Sequence, residues 1–277
     1  MPKISIGFST CPNDTFIFDA MVHHKIDTEG LDFNIFLGDV EELNKMAFKT
    51  ELDVTKLSYH AYAHIWKNYS ILNAGSALGR NNGPILISKH KVYPDEIDYL
   101  KIGIPGKNTT ANLLFSIAYP NAKNKKEYLF SDIEAAIESE EIDAGLIIHE
   151  TRFTYKKSGF LKVIDLGEYW EQNTQSSIPL GGIVVKKSFD CNLQRKIDRV
   201  IKRSITYAFN NPKSATSYMK QFAQDMSEEV MRKHVQLYVN NFSFNLGSEG
   251  KESIETLYNK AFRLKLINDL PQNIFIN

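Results

Sequence analysis

One plan of strand and helix is written twice in this chain. Residues 43–54, ending Glu51-Leu52-Asp53-Val54, match residues 133–144, ending Glu141-Ile142-Asp143-Ala144, at an offset of 90 positions (Asp53 to Asp143). Around each copy the apolar spacing alternates between two and 3.6. That is the sign of strand, helix, strand, helix, strand, and so of a parallel sheet flanked by helices. In the first copy the strands are expected at 3–8, 31–37 and 53–57. Asn13 or Asp14 is placed to cap the helix after the first strand, Asp39 with Glu42 to box the next at 40–49, and Ser58 to cap a third at 59–66. In the second copy strands are expected at 101–104, 127–130 and 143–148, with an apolar helix reaching Tyr119 and another capped by Ser131 with Glu134.

Two glycine-bearing extended stretches join the copies. Residues 72–88, broken by Gly75, Gly79 and the Asn81-Asn82-Gly83-Pro84 turn, read as a crossing out of the first lobe, and 180–185 as the return. Beyond Asp190 the segments 193–209, 212–224, 227–239 and 248–266 are helical by period. The expected architecture is α/β and two-lobed, each lobe a mostly parallel sheet flanked by helices, with a ligand cleft between the lobes. The first lobe is discontinuous, 1–88 plus 186–277, and the second spans 89–185.

Overlaying the copies places Ser58-Tyr59 and Ile148-His149 at corresponding strand ends. Open α/β sheets build their sites outside the carboxyl ends of strands, so Ser58 and His149 are expected to face one cleft from opposite walls. His149 closes the apolar run Leu146-Ile147-Ile148. It is either a core histidine satisfied by a backbone carbonyl or, with Glu150 and Arg152 beside it, an imidazole able to take a proton near neutral pH. The loops at 9–14 and 106–110 each join a strand to a helix, where N–H groups can hold a carboxylate or hydroxyl; a capped turn without a ligand is the other reading. The second loop is no Walker motif, because Lys107 precedes Thr109 and Thr110. His60 and His64, four apart on a helix, have the spacing of two metal ligands but no evident third, and Phe153 stands where a zincin would place its second histidine. His23-His24 reads as a helix-end pair, and Phe153, Tyr169 and Trp170 as packing rings or stacking surfaces for a planar ligand. No serine-histidine-aspartate order or nucleophile elbow accompanies His149.

Charge narrows the partners. Thirty-three basic and thirty-three acidic side chains cancel, so no overall field draws the chain to nucleic acid or to an anionic membrane. A small-molecule partner is expected. At 277 residues and 43% hydrophobic content a sizeable core can form. Cys11 and Cys191 are too few and too far apart for a disulfide framework or zinc site. No apolar run reaches spanning length, and the N-terminal residues lack a leader pattern, which gives a cytoplasmic expectation.

Three segments carry a resemblance. Ser9-Thr10-Cys11-Pro12-Asn13-Asp14-Thr15-Phe16-Ile17-Phe18-Asp19-Ala20, Asp53-Val54-Thr55-Lys56-Leu57-Ser58-Tyr59 and Gly145-Leu146-Ile147-Ile148-His149-Glu150 resemble the 1,4-dihydroxy-6-naphthoate synthases of the futalosine route to menaquinone, in order and over essentially the whole chain. The resemblance implies a type II periplasmic-binding-protein fold adapted as a cytoplasmic lyase that cleaves cyclic dehypoxanthine futalosine, without metal or redox cofactor. It implies His149 as proton acceptor, substrate contacts at Lys56, Leu57 and Ser58 and at Thr109 and Thr110, and membership of Asn13 and Asp14 in the cleft motif. Thr10 departs from the proline usual in that motif, which changes loop stiffness more than chemistry.

Three rivals stand beside this reading. A solute-binding protein would capture a ligand without turning it over. A chorismate dehydratase of the same pathway shares the fold, although the Cys11-Pro12-Asn13-Asp14 motif and His149 favour the later step. A ligand-sensing regulatory module would need an attached signalling or DNA-binding domain.

Overall fold

The computed structural model describes residues 3–223 and 226–276. Its first-lobe sheet is centred on β1 (Ile4–Phe8), where Ile4, Ile6, Gly7 and Phe8 are all buried. A parallel strand covered by helices on both sides reads as a near-continuous apolar run for this reason. The chain continues through α1 (Pro12–Val22), β2 (Phe33–Leu37), α2 (Val40–Phe48), β3 (Val54–Ser58) and α3 (Tyr59–Ile65). β2 and β3 flank β1 in parallel, with Ile6 level with Ile35 and Val54.

After β4 (Tyr69–Ile71), β5 (Ala77–Gly79) and β6 (Ile85–Ser88) the plan restarts with β7 (Ile102–Ile104), α4 (Thr110–Ala118), β8 (Lys125–Glu127), α5 (Ile133–Glu138) and β9 (Ala144–Ile147). Ile102 is level with Lys125 and Ala144, again in parallel. The neighbours of the two central strands thus lie 90 positions apart (Ile35 to Lys125, Val54 to Ala144), so the sequence repeat is a repeat of sheet register.

The remaining elements are α6 (Thr151–Thr154), β10 (Leu161–Asp165), α7 (Leu166–Thr174), β11 (Ile178–Lys186), α8 (Cys191–Asn210), α9 (Thr216–Phe222), α10 (Glu228–Tyr238), α11 (Asn241–Phe244) and α12 (Gly247–Arg263). Sheet order is β2-β1-β3-β11-β4, with β5 on β11, in one lobe, and β10-β6-β9-β7-β8 in the other. β11 runs antiparallel to β3, and β6 antiparallel to β9. Each lobe therefore takes its fourth strand from a connecting segment.

This corrects the expected boundaries. Residues 85–88 pair in the second sheet rather than the first, and 178–185 in the first rather than the second. The crossings shrink to 80–84 and 175–177. At the first, Gly83 packs on Gly167 so closely that a Cβ would lie 2.4 Å from the Gly167 Cα. Arg152, ion-paired with Asp165 at 2.8 Å, donates to the Gly83 carbonyl.

Several expected caps differ. Asp39 accepts from the Glu41 and Glu42 amides, as expected, but Cys11 rather than Asn13 or Asp14 is the N-cap of α1, and neither Ser58 nor Ser131 caps through its side chain. Asp14 and Ser58 have other partners, described below. β10 went unforeseen because only Asp165 of its five residues is buried. The helix expected at 212–224 is α9; Gln224 lies outside the described residues. Trp170 is packed as expected, its Nε1 donating to the Ser177 carbonyl.

One apolar cluster spans both lobes, joining Leu57 and Tyr59 to Leu113, Trp170 and Tyr258. Each such side chain, fully buried, contributes roughly 1.5–3 kcal/mol, so the lobes are held together by core packing. A second cluster sets Ile197, Val200, Ile201 and Ile205 of α8 against Ile17 and Met21 of α1. No described helix is long and apolar enough to cross a membrane.

Candidate active site

The lobes enclose a cleft of about 730 Å3, its mouth included, at the carboxyl ends of β3 and β9. All eight expected site residues line it: Asn13, Asp14, Lys56, Leu57, Ser58, Thr109, Thr110 and His149. Their roles divide once the hydrogen bonds are followed.

Asp14, 1% exposed, accepts from the Ser9 amide and hydroxyl through Oδ2 and from Asn13 Nδ2 and Lys56 Nζ through Oδ1, the last at 3.0 Å. Lys56 also donates to the Gly75 carbonyl at 3.1 Å. A buried ion pair satisfied in this way fixes geometry, and breaking it leaves an unpaired charge at a cost of about 3–5 kcal/mol. Asp14 and Lys56 therefore form the polar floor of the cleft.

Ser58 is nine-tenths buried but less committed. Its amide donates to Asn44 Oδ1 at 2.9 Å and its Oγ accepts from Asn44 Nδ2 at 3.3 Å, which leaves the hydroxyl proton for a ligand. Asn44, which sequence reasoning missed, thus orients Ser58.

In the threonine loop both side chains are engaged within the protein. Thr109 Oγ1 donates to the Gly106 carbonyl at 2.7 Å and caps α4 by accepting from the Asn112 amide. Thr110 Oγ1 donates to Leu180 O at 2.6 Å across the lobes. Both hydroxyl protons are taken. Thr110 and Ala111, the first two residues of α4, line the cleft, and at those positions the amides have no intrahelical acceptor. Such a helix N-terminus suits a carboxylate. Gly106 at φ +142° lets this loop approach α2: a Cβ there would lie 2.7 Å from Glu41, whose carboxylate accepts from Asn108 Nδ2 at 2.7 Å. Burial raises the Glu41 pKa above the ordinary carboxylate value.

His149 stands two residues beyond the end of β9, in the left-handed region at φ +58°. A non-glycine residue there costs on the order of 1–3 kcal/mol, a strain that clusters at functional sites. Its ring is held by first-lobe and second-lobe groups together. Cys11 Sγ lies 3.4 Å from Nδ1, Phe130 meets the ring edge-on at 4.9 Å, and the ring of His234 stacks on it at 5.9 Å and 22°. Burial lowers the His149 pKa below 6.5, with Glu150 the main opposing influence, so the imidazole is neutral at pH 7. Burial pushes the Cys11 thiol up, so it is a protonated neighbour rather than a thiolate. Arg152, expected to tune His149, is instead engaged at the crossing.

Other expectations fall outside the cleft chemistry. His60 Nδ1 meets the Thr109 carbonyl at 3.2 Å, and burial lowers its pKa to about 4. His23 pairs with Asp19 at 2.9 Å.

Three further residues escaped the sequence reading. Asn82, 1% exposed and lining the cleft, has neither amide atom hydrogen-bonded among the described residues. Tyr238 lines the same wall, with His234 one turn earlier on α10. Their four-residue spacing was legible; nothing in the sequence set α10 against β9.

A cleft between two α/β lobes, lined by Ser58 from one and by the start of α4 and the neutral imidazole of His149 from the other, defines a two-lobed, type II periplasmic-binding-protein-like protein. Solved structures share this architecture: the alkanesulfonate-binding protein SsuA from Xanthomonas axonopodis superposes with a TM-score of 0.71 over 99% of this chain and 96% of its own at 9% identity, a likeness of fold alone. A protein from Archaeoglobus fulgidus superposes with a TM-score of 0.91 at 33% identity, covering 96% of this chain and 98% of its own. The chain belongs to the menaquinone biosynthesis family, whose model matches residues 4–263. It is 38% identical to the 1,4-dihydroxy-6-naphthoate synthase of Thermus thermophilus over 100% of both chains, and 33% identical to that of Streptomyces coelicolor over 93% of this chain and 92% of the other.

Proposed function

We propose that this protein is a carbon–carbon lyase that converts cyclic dehypoxanthine futalosine to 1,4-dihydroxy-6-naphthoate, with His149 as general base. The observation that carries the reading is the neutral, strained imidazole of His149 facing the free donors of Ser58 and α4 across one cleft. Cys11 Sγ lies 3.4 Å from Nδ1 and 3.7 Å from Nε2, and with the ring proton on Nδ1 the lone pair of Nε2 takes a proton from the polycyclic substrate. The bond to the sugar-derived part then breaks, and aromatisation of the naphthalene ring drives release. The substrate carboxylate sits at the amides of Thr110 and Ala111 and the hydroxyl of Ser58, which brings the reacting carbon to the base. The packed lobes exclude water during the step. A cytoplasmic site of action goes with this reading.

Incubation with cyclic dehypoxanthine futalosine, followed by absorbance and mass, tests it: the naphthoate should accumulate catalytically. Tight binding without product would assign the cleft to a solute-binding role, and release of product from chorismate instead would assign it to the dehydratase.

A further inference from the structure

His234 is the strangest side chain in the molecule. It sits on α10, is 0% exposed, and neither ring nitrogen finds a hydrogen-bond partner among the described residues. Packing alone does not call for an imidazole there, since an apolar ring would fill the space without stripping two polar atoms of water. What lies against it is the candidate base: the His234 and His149 rings stack at 5.9 Å and 22°, and Tyr238 lies 4.7 Å on from His234.

On the reading of His149 as general base, we propose that His234 is a positioning residue for the reaction: stacked on His149 from the first lobe, it fixes the plane of the base and supports the positive charge the base acquires on taking a proton. A neutral ring offers its π face and fixed dipole to a neighbouring imidazolium, and in a dry site such preorganised groups act strongly. Two adjacent imidazoles cannot both be charged. Burial, with His149 adding repulsion, keeps His234 neutral. Around His149, Glu150, Asp14 and Asp39 favour the cation and Lys56 opposes it. Both rings are therefore neutral at rest, and the proton taken from the substrate is carried by His149. Because the two rings come from different lobes, the complete base exists only while the lobes are packed together.

His234→Leu keeps the volume and burial but has no ring; His234→Phe keeps the ring without its dipole. With the cyclic substrate, kcat should fall at least about tenfold in the Leu variant, the scale of losing a group that orients a reacting one, with KM unchanged. The acid limb of kcat/KM should move to lower pH, and the Phe variant should lie between. A Leu variant with wild-type kcat and pH profile but a lower Tm would make His234 a packing residue and overturn the proposal. So would a rise in KM alone, or a Phe variant as impaired as Leu. If the wild-type chain turns over no cyclic substrate, the proposed function fails separately, and NMR titration of the His149 Cε1–H decides the inference: a lower His149 pKa in the Leu variant supports it, and an unchanged one overturns it.

Discussion

Ser58 and His149 stand at corresponding strand ends of the two lobes, His149 one position further along than the residue that matches Ser58, and the backbone leaves them in different ways. Ser58 keeps an extended conformation (φ −72°, ψ 141°) and passes directly into α3, its amide and hydroxyl both held by Asn44. At His149 the chain turns into the left-handed region, and among the described residues the ring meets a thiol, the edge of Phe130 and the face of His234. One strand end is a satisfied hydrogen-bonding surface with a proton to spare; the other is strained and poor in polar partners. The first arrangement suits binding, whose worth lies in fixed donors. The second suits reaction, because a base hemmed in by strong donors would have no lone pair free. On the proposed function, a duplicated scaffold supplies two different roles from corresponding strand ends.

The largest effect that would break this contrast concerns the reactive end. His149→Ala should lower kcat by about 10²–10⁴-fold, the usual worth of a general base; near-normal steady-state turnover would move the base elsewhere. Next comes the floor between the ends. Asp14→Ala should destabilise the fold by about 3–5 kcal/mol by stranding the Lys56 ammonium, and a denaturant midpoint left in place would mean that the pair is not the support described. Ser58→Ala should raise KM with little change in kcat, by the ~0.5–1.5 kcal/mol of one hydrogen bond; a fall in kcat alone would blur the division. A further effect is in pH. His60, His149 and His234 all have folded pKa values below 6.5 through burial. The unfolded chain therefore binds protons that the folded one does not, and the stability these histidines contribute should decline as pH falls below about 6.5, with the His60 share complete near 4. A thermal scan with Tm constant between pH 7 and 5 would contradict this.

Much of this was legible in the sequence because a duplicated hydrophobic period constrains topology directly. The 90-residue offset reappeared as sheet register, and it set Ser58 opposite His149 before any likeness was invoked. Pairing was harder to read. Nothing local says that residues 85–88 and 178–185 lend themselves to the sheet of the other lobe, because an antiparallel fourth strand is as apolar as a parallel one. Hydroxyl and amide donors of the 106–110 loop could not be told apart by residue type. Thr109 and Thr110 sit where ligand donors belong, but their side chains cap and cross-link the loop while the backbone beneath them stays open. Asn82 and His234 were invisible for another reason: a buried polar group reveals itself only when its partners are found wanting, and partners are a property of the fold.

The division between a binding end and a reacting end is tested most directly by the affinity of the naphthoate product for the His149→Ala variant, measured by fluorescence titration beside the wild type. The expected result is a Kd within about threefold of wild type, a difference of under 1 kcal/mol, in a protein that has all but lost turnover. A Kd weakened as far as turnover is lost would make His149 a binding residue and contradict the account.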